Sequence, residues 1–275
     1  MLKIGLAQNV LLPMLQVMDG DLDAHEKVQN GINFFGPKGT GKTFLAKALL
    51  DHYKQKGGYV AELEFVENTE KDIAQMKKVF ADAEKRFEES GHKKYTMVLL
   101  DELEKSVRKD GISDYNSIRN SALLKLVNDS KDKGVIFVTT SNDLSKVAPD
   151  MLRNGRTDLR IPVGSIAIDD LVDMVNYYVL QRGVTYNLEY KKIAESFETD
   201  KLAYKPKEVQ SVIKMATKNI SAGYLDTDKL MKAFKDSDIQ FNDSEQKQFN
   251  NEIEMVKGYG GLNKNARFSN EDVVE

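Results

Sequence analysis

The chain has 275 residues, of which 41% are hydrophobic and 30% are charged, and its formal net charge is −3. This balance is typical of a globular protein with one large domain or two ordinary ones, and it argues against a chain whose main role is to coat nucleic acid. The absence of cysteine excludes disulfides, thiolate metal sites and cysteine nucleophiles.

The N-terminal segment, Met1 to Met18, is apolar enough to be compared with a signal peptide. Polar residues and Pro13 interrupt it, and no small-residue cleavage site follows, so we expect an amphipathic helix or helical pair packed on the domain. No run approaches the roughly 18 uninterrupted apolar residues of a membrane span. We therefore expect a cytoplasmic protein without a membrane span.

A short buried strand is predicted at residues 32–35 and a helix at residues 43–56. The loop between them matches the phosphate-binding pattern G-x-x-x-x-G-K-[ST], whose glycines let backbone N–H groups surround an anion at a helix N-terminus. Lys42 is then expected to reach the β- and γ-phosphates of ATP, and Thr43 to hold Mg²⁺. Nucleotide contacts are predicted for Gly36, Pro37, Lys38, Gly39, Thr40, Gly41, Lys42, Thr43 and Phe44.

Strands and helices alternate through the first half of the chain. This alternation predicts a parallel sheet with helices on both faces, and ligand binding at the carboxyl ends of the strands. The further predicted strands are residues 59–65, 95–100 and 135–138, and the predicted helices are residues 70–90 and 115–128.

Only helices are predicted beyond Gly164, at residues 169–182, 188–197, 206–220, 228–235 and 244–257. We therefore expect three parts. They are an α/β domain over residues 1–163, a small all-helical lid domain over 164–241, and a C-terminal helix with a mobile tail over 242–275.

Polar residues follow two of the predicted strands. Met97–Glu102 looks like a Walker B box, in which Asp101 would hold Mg²⁺, usually through water, and Glu102 would activate water. Such an acidic pair can also simply cap the next helix, but the phosphate loop favours the metal and water roles. Asn142, after the strand at 135–138, could touch both the water and the γ-phosphate, or could be a turn residue.

Two arginines spaced by three, Arg153 and Arg156, lie in the segment Leu152–Ile161. This segment resembles the R-x-G-R-x-D-x-x-I core of the second region of homology of AAA+ ATPases, specifically of the classical AAA branch. In that family both arginines reach the nucleotide of the neighbouring subunit as arginine fingers, and Asn142 matches the sensor 1 position. Solvated loop arginines are the alternative, but arginine supplied in trans can neutralise transition-state charge.

This resemblance covers about residues 4–257, with four motifs in the family's order. It implies a P-loop αβα sandwich with a five-stranded parallel sheet in the order 5-1-4-3-2, followed by the helical lid. It also implies Mg²⁺-dependent ATP hydrolysis by a ring or spiral, expected to be a hexamer, whose subunit interfaces complete each site. The motifs are specific for the family but not for one member.

The chain departs from the family pattern at two places. AAA remodellers carry an aromatic pore-loop residue between the second strand and second helix, whereas Val66–Thr69 contains none, which leaves threading of a polypeptide open. The lid helix starts with Pro206 and Lys207 instead of a Gly-Ala pair. Lys207 is either a sensor 2 cation on the phosphates or a solvated lysine in the first helical turn.

The function that the motifs favour is the remodelling or disassembly of a protein complex. We expect the target to be recognised by the ATPase face or the C-terminal tail, or through a partner chain. A nucleic-acid-associated AAA+ loader or regulator is the first alternative, which the missing pore aromatic favours and the lack of a basic cluster disfavours. A nucleotide-binding switch or scaffold with little turnover is the second, and the presence of Asp101, Glu102 and Asn142 argues against it.

Overall fold

The computed structural model describes residues 31–66, 68–107, 114–130, 132–153, 155–166, 168–200, 204–218, 224–237, 239 and 243–258. The helix expected at Met1 to Met18 and the tail beyond Gly258 lie outside the described residues. Within the described part of the chain, no helix has the length and apolar character that crossing a membrane requires.

A five-stranded parallel sheet lies at the centre of the α/β part. Its order, β2-β3-β4-β1-β5, confirms the predicted order 5-1-4-3-2 read from the opposite edge. Strands β1, β3 and β4 are buried along their whole length, because helices cover both faces of the sheet. The strands are β1 (Gly31–Phe35), β2 (Tyr59–Glu62), β3 (Thr96–Leu100), β4 (Val135–Ser141) and β5 (Leu159–Pro162).

Nine helices are found in the described residues, and their apolar stripes fix how they pack. Helix α2 buries Met76, Phe80, Ala83 and Phe87 against the sheet, since residues spaced by three and four share one helical face. The helices are α1 (Lys42–Gln55), α2 (Thr69–Glu89), α3 (Leu103–Ser106), α4 (Asp114–Asn128), α5 (Ile168–Gln181), α6 (Tyr190–Asp200), α7 (Pro206–Lys218), α8 (Thr227–Asp236) and α9 (Asp243–Gly258).

The strand register places three loops at one edge of the sheet. Phe35, the last residue of β1, pairs with Ser141 and with Pro162, and Leu100 at the end of β3 pairs with Thr139. The connections that leave β1, β3 and β4 therefore start side by side. This is the edge where the sequence predicted ligand binding.

Strand β4 runs to Ser141, three residues beyond the predicted end at Val138. Thr139 and Ser141 look like turn residues in the sequence, but both are buried and accept hydrogen bonds from the Asn33 side chain, at 2.7 and 3.1 Å. Two other boundaries also differ. Strand β2 ends at Glu62 and not at Phe65, and the four-residue helix α3 was not predicted because it is too short to show periodicity.

The lid helices α5 to α8 surround an apolar cluster of their own, which includes Val175, Phe197, Val212 and Phe234. The expectation that this part contains no strand was wrong in detail. Two-residue strands, β6 (Tyr186–Asn187) and β7 (Leu225–Asp226), pair in parallel. Strands this short carry no alternating pattern in the sequence. The separate core supports our proposal that the lid is a domain distinct from the α/β part.

Candidate functional site

The phosphate loop leaves β1 at Gly36 and enters helix α1 after Gly41. Gly36, Gly39 and Gly41 have φ angles of 139°, 91° and 96°, in the region that glycine adopts without strain. A Cβ on Gly36 would also lie 2.5 Å from the Val163 carbonyl oxygen and 2.8 Å from the Phe249 ring. Glycine is therefore required at the start of the loop, both for its backbone conformation and for close packing.

Lys42 is the first residue of α1 and is only 5% exposed. Its ammonium group donates a hydrogen bond to the Pro37 carbonyl oxygen at 2.7 Å. Burial lowers the pKa of Lys42 to about 8, although the carboxylates of Glu104 and Asp101 act in the opposite direction. The lysine is thus held inside the curve of the loop, where an anionic ligand would stabilise its charged form.

Thr43 and Asp101 meet where α1 starts and β3 ends. The Thr43 hydroxyl donates to a carboxylate oxygen of Asp101 at 3.0 Å, and the Thr140 hydroxyl donates to the same oxygen. A hydroxyl next to a single carboxylate fits Mg²⁺, which is usually bound by one or two carboxylates together with water and substrate phosphates. In the described residues no group of three or more His, Asp or Glu side chains forms a dedicated metal cage.

Glu102 has a left-handed backbone, with φ 51° and ψ 62°. This rare conformation for a residue with a side chain costs of order 1–3 kcal/mol and clusters at functional sites. The Glu102 amide donates to the Thr140 hydroxyl at 2.9 Å, and its carboxylate contacts Lys105 and accepts a hydrogen bond from Asn142 at 3.2 Å. Strands β3 and β4 thus bring Glu102 and Asn142 into direct contact.

Glu104, which the sequence analysis did not select, is the second acceptor for Asn142. One of its carboxylate oxygens accepts from the Asn142 side chain at 2.9 Å and from the Asn142 backbone N–H at 3.1 Å. Its other carboxylate oxygen is buried without a hydrogen-bond partner. A third acidic residue two positions after Glu102 was the available signal, but only the turn of α3 brings Glu104 back toward Asn142.

A cleft of about 710 Å³ joins the phosphate loop to the lid. This volume lies within the range of small-molecule sites. Phe44, which is 59% exposed, faces the cleft from α1, and Lys207 faces it from the start of α7. The Lys207 Cβ lies 3.8 Å from where a Cβ of Gly39 would be, so the lid helix begins directly over the phosphate loop. The lid also contributes Ile166, Met174, Tyr177 and Tyr178.

The two predicted arginine fingers lie outside this cleft. Arg153 is exposed and forms an ion pair with Asp150 at 3.1 Å. Arg156 donates to the Asn128 side chain at 2.7 Å and to the Asp150 carbonyl oxygen. The structure thus groups Lys42, Thr43, Asp101, Glu102 and Asn142 at one end of the cleft but does not bring either arginine to them within a single chain.

The C-terminal helix α9 packs behind the phosphate loop, a placement that the sequence did not indicate. The Phe249 ring lies 6.0 Å from the Phe35 ring, and the Glu252 carboxylate accepts a hydrogen bond from the Leu144 backbone N–H at 3.1 Å. Burial raises the pKa of Glu252 to about 7. No local pattern could have revealed the contact of Glu252 with Leu144, since Leu144 lies more than a hundred residues earlier in the chain.

Comparisons with known proteins agree with this geometry. Residues 32–165 match the family described as "ATPase family associated with various cellular activities (AAA)". The ATP-dependent zinc metalloprotease FtsH 2 of Thermoanaerobacter sp. (strain X514) is 24% identical over 172 residues, which are 61% of this chain and 32% of that protein. The 26S proteasome regulatory subunit 8 homolog of Saccharomyces cerevisiae is 24% identical over 172 residues, which are 60% and 41% of the two chains.

A solved structure shares the fold at low sequence identity. The crystal structure of the FIGL-1 AAA domain superimposes with a TM-score of 0.66 and 13% identity, over 91% of this chain and 85% of that one. The curated relatives are longer, and the aligned part spans about a third of the FtsH 2 relative. The similarity therefore concerns only part of each of these relatives.

Proposed function

Since this chain belongs to the classical AAA branch of the AAA+ ATPases, we propose that it hydrolyses ATP in a Mg²⁺-dependent manner as part of an oligomer that remodels protein complexes. The observation that carries this proposal is the convergence of Lys42, Thr43, Asp101, Glu102 and Asn142 on one cleft. No single one of these residue types would indicate hydrolysis, but together they supply a cation for the phosphates, ligands for Mg²⁺ and a pair of groups for the attacking water.

The phosphates of ATP would be bound by the backbone N–H groups of the loop and by Lys42. The buried ammonium would exchange the Pro37 carbonyl for phosphate oxygens, a stronger charge-assisted interaction. Thr43 and Asp101 would hold Mg²⁺, whose role when bound is to neutralise charge on the phosphates. The adenine ring of ATP would lie between Phe44 and the aromatic and aliphatic side chains of the lid. Lys207, at the start of α7, would add positive charge near the phosphates.

The attacking water would be activated by Glu102. Glu102 lies just after the end of β3 with a left-handed backbone, and the Asn142 amide donates to its carboxylate at 3.2 Å and would orient it. In the structure the same carboxylate also contacts Lys105. We expect the water to replace Lys105 at this carboxylate when the nucleotide is bound. A carboxylate oxygen that already contacts the Lys105 ammonium group cannot accept a proton from the water at the same position.

Arg153 and Arg156 of a neighbouring subunit would complete the binding site around the γ-phosphate. Arg153 is exposed and Arg156 is half-buried, both lie outside the cleft of their own chain, and transition-state charge on the γ-phosphate still needs a cationic partner. A closed ring or a spiral, with a hexamer as the expected size, would place each arginine pair at the next nucleotide. Hydrolysis would then require assembly.

A protein target is the substrate class that we propose. Two of the relatives are named for protein degradation, one as an ATP-dependent zinc metalloprotease and one as a proteasome regulatory subunit homolog. ATP would hold the lid and the neighbouring subunit closed over the cleft, and hydrolysis would release them. This cycle of closure and release would remodel a bound protein complex.

The test is the mass of the Glu102→Gln protein by light scattering, with and without Mg-ATP, together with single-turnover hydrolysis by the unchanged chain. We expect ATP-induced assembly to roughly six subunits and turnover that rises with assembly. The Lys42→Ala protein is the control that should not assemble. If Glu102→Gln stays monomeric in both conditions while the unchanged chain turns over ATP, the trans-arginine mechanism is contradicted. Assembly of Glu102→Gln without turnover by the unchanged chain would indicate a nucleotide switch.

A further inference from the structure

The carboxylate of Glu252 is buried at the junction of the C-terminal helix and the turn that follows β4. It is only 5% exposed, although it lies on the penultimate turn of α9, near the end of the described chain. One of its oxygens accepts two hydrogen bonds, from the Leu144 backbone N–H and from the Gln248 side chain, each at 3.1 Å. A carboxylate this deep needs such partners, since burial without them is costly.

The turn that Glu252 holds is the one that carries Asn142. This residue is bound through its backbone N–H and its side chain to Glu104, while Leu144, two residues later, is bound to Glu252. The turn Asn142–Leu144 is therefore fixed at both ends by carboxylates, one from helix α3 and one from helix α9. Loosening either end would change how the Asn142 amide meets Glu102.

Helix α9 also contacts two other parts of the nucleotide site. Phe249 packs on Phe35 and fills the space that a side chain at Gly36 would need. Glu245 contacts the Lys205 ammonium group, one residue before α7 begins. Helix α9 thus contacts the start of the phosphate loop, the turn after β4 and the residue that precedes α7.

The charged groups around Glu252 come from several elements. Asp143 on the turn raises the pKa of Glu252 and Lys42 on α1 lowers it, but burial is the dominant cause of its rise to about 7. A cavity of about 210 Å³ separates α9 from the phosphate loop and the turn, and Glu252 reaches it. The other charged residues that line this cavity are Lys38, Lys146 and Glu245.

We propose that Glu252 is a positioning residue of the ATPase, which fixes the turn Asn142–Leu144 when its carboxylate is ionised and loosens the turn when it is protonated. The inference rests on the proposed hydrolysis at this site. An ionised carboxylate accepts a stronger hydrogen bond from the Leu144 N–H than a neutral carboxyl group does. Asn142 is then held against Glu102, so kcat should rise as Glu252 loses its proton.

The experiment compares Glu252→Gln with the unchanged chain in steady-state hydrolysis between about pH 6 and 8. The substitution keeps an oxygen acceptor for Leu144 but removes the charge. We expect kcat at pH 8 to fall about fivefold, because a neutral acceptor is weaker by about 1 kcal/mol, while KM changes less than about twofold. The part of the rise in kcat near pH 7 that belongs to Glu252 should disappear.

The matched control is Glu254→Gln, which neutralises an exposed glutamate on the same helix. It should keep the unchanged chain's kcat and pH profile. A profile of Glu252→Gln that equals that of the unchanged chain overturns the proposal. If Glu252→Gln lowers kcat and raises KM by the same factors at every pH, the substitution has caused a general loss of structure. That result would also overturn the proposal.

Hydrogen exchange at the Leu144 amide gives a second readout that does not depend on turnover. At each pH the ratio of exchange rates between Glu252→Gln and the unchanged chain removes the intrinsic pH dependence. This ratio should be about five at pH 8 and should approach one near pH 6. A chain without turnover would refute the proposed function, whereas a ratio near one at pH 8 would refute the role of Glu252 on its own.

Discussion

The buried half of the nucleotide site and the exposed arginine segment are built in opposite ways. Lys42 is buried, Asp101, Glu102 and Asn142 are half-buried, and all four contact partners from their own chain at the carboxyl end of the sheet. Arg153 extends from the surface, and its ion pair with Asp150 is one of the exposed pairs that contribute little to stability. One region is thus organised within a single chain, and the other presents charge outward.

This difference leads us to expect that the arginine segment is the half that acts on a neighbouring subunit. Burial lowers the pKa of Lys42 and raises the pKa of Glu252. Keeping these two side chains charged in the enclosed half therefore costs some stability. The arginine segment is anchored through its backbone: a Cβ on Gly31 would lie only 2.1 Å from the Arg156 carbonyl oxygen. The backbone of the segment thus packs closely against the start of β1, with the Arg153 side chain exposed and the Arg156 side chain half-buried.

The largest expected effect comes from removing the buried cation. Lys42→Ala should weaken ATP binding at least about 100-fold and reduce hydrolysis to background, because the phosphates lose their charge-assisted partner in the enclosed half. Calorimetric titration with Mg-ATP measures this effect. Lys47→Ala, which removes an exposed lysine of the same helix that pairs with Glu62 at 3.4 Å, should bind ATP normally. Equal losses in both variants would refute the role of Lys42.

Removing one arginine should stop hydrolysis and leave binding intact. Arg156→Ala should lower kcat about 1,000-fold, with ATP affinity changed less than about threefold, since we propose that the side chain acts on the γ-phosphate of another subunit. Arg86→Ala, which removes an arginine packed 4.7 Å over the Tyr59 ring, is the control and should retain activity.

Mixing two inactive chains sharpens the same comparison. An Arg156→Ala chain keeps an intact buried half, and a Glu102→Gln chain keeps its arginines, so mixed assemblies contain some complete sites. Turnover by the mixture above that of either protein alone is expected. If the mixture stays inactive although both proteins assemble together, the arginines do not act across the interface.

The smallest expected effect is on stability and its pH dependence. The pKa of Glu252 rises from 4.5 in the unfolded chain to about 7 in the folded one, so the folded state binds the proton more tightly. Its contribution to stability is therefore complete below about pH 4.5 and is lost as the pH rises through 7, by at most about 3 kcal/mol. Glu252→Gln should remove this dependence.

Denaturant unfolding of the unchanged chain and the Glu252→Gln variant at about pH 5 and 8 measures the difference. We expect the variant to gain stability relative to the unchanged chain as the pH rises, even though its kcat is lower. Arg153→Gln, in the exposed segment, should change the free energy of unfolding by less than about 1 kcal/mol at both pH values. If the free energy of unfolding of Glu252→Gln keeps the same pH dependence, that dependence comes from another titratable group.

The sequence by itself determined the phosphate loop, the alternation of strands and helices in the α/β part and the mainly helical character of the lid. The spacing of Gly36, Gly41 and Lys42 and the apolar strands before Asp101 and Asn142 are local patterns, each set by residues close together in the chain. Their order matched one family, and the family resemblance supplied the sheet order that the strand pairing confirmed.

Only the tertiary structure decided what surrounds these residues. The contact of Glu104 with Asn142 depends on the turn of α3, and that of Glu252 with Leu144 depends on α9 returning to the far side of the phosphate loop. The buried polar end of β4 likewise depends on Asn33 from the neighbouring strand. Hydrogen bonds between residues distant in the chain leave no periodic signal, because their partners are chosen by packing and not by spacing.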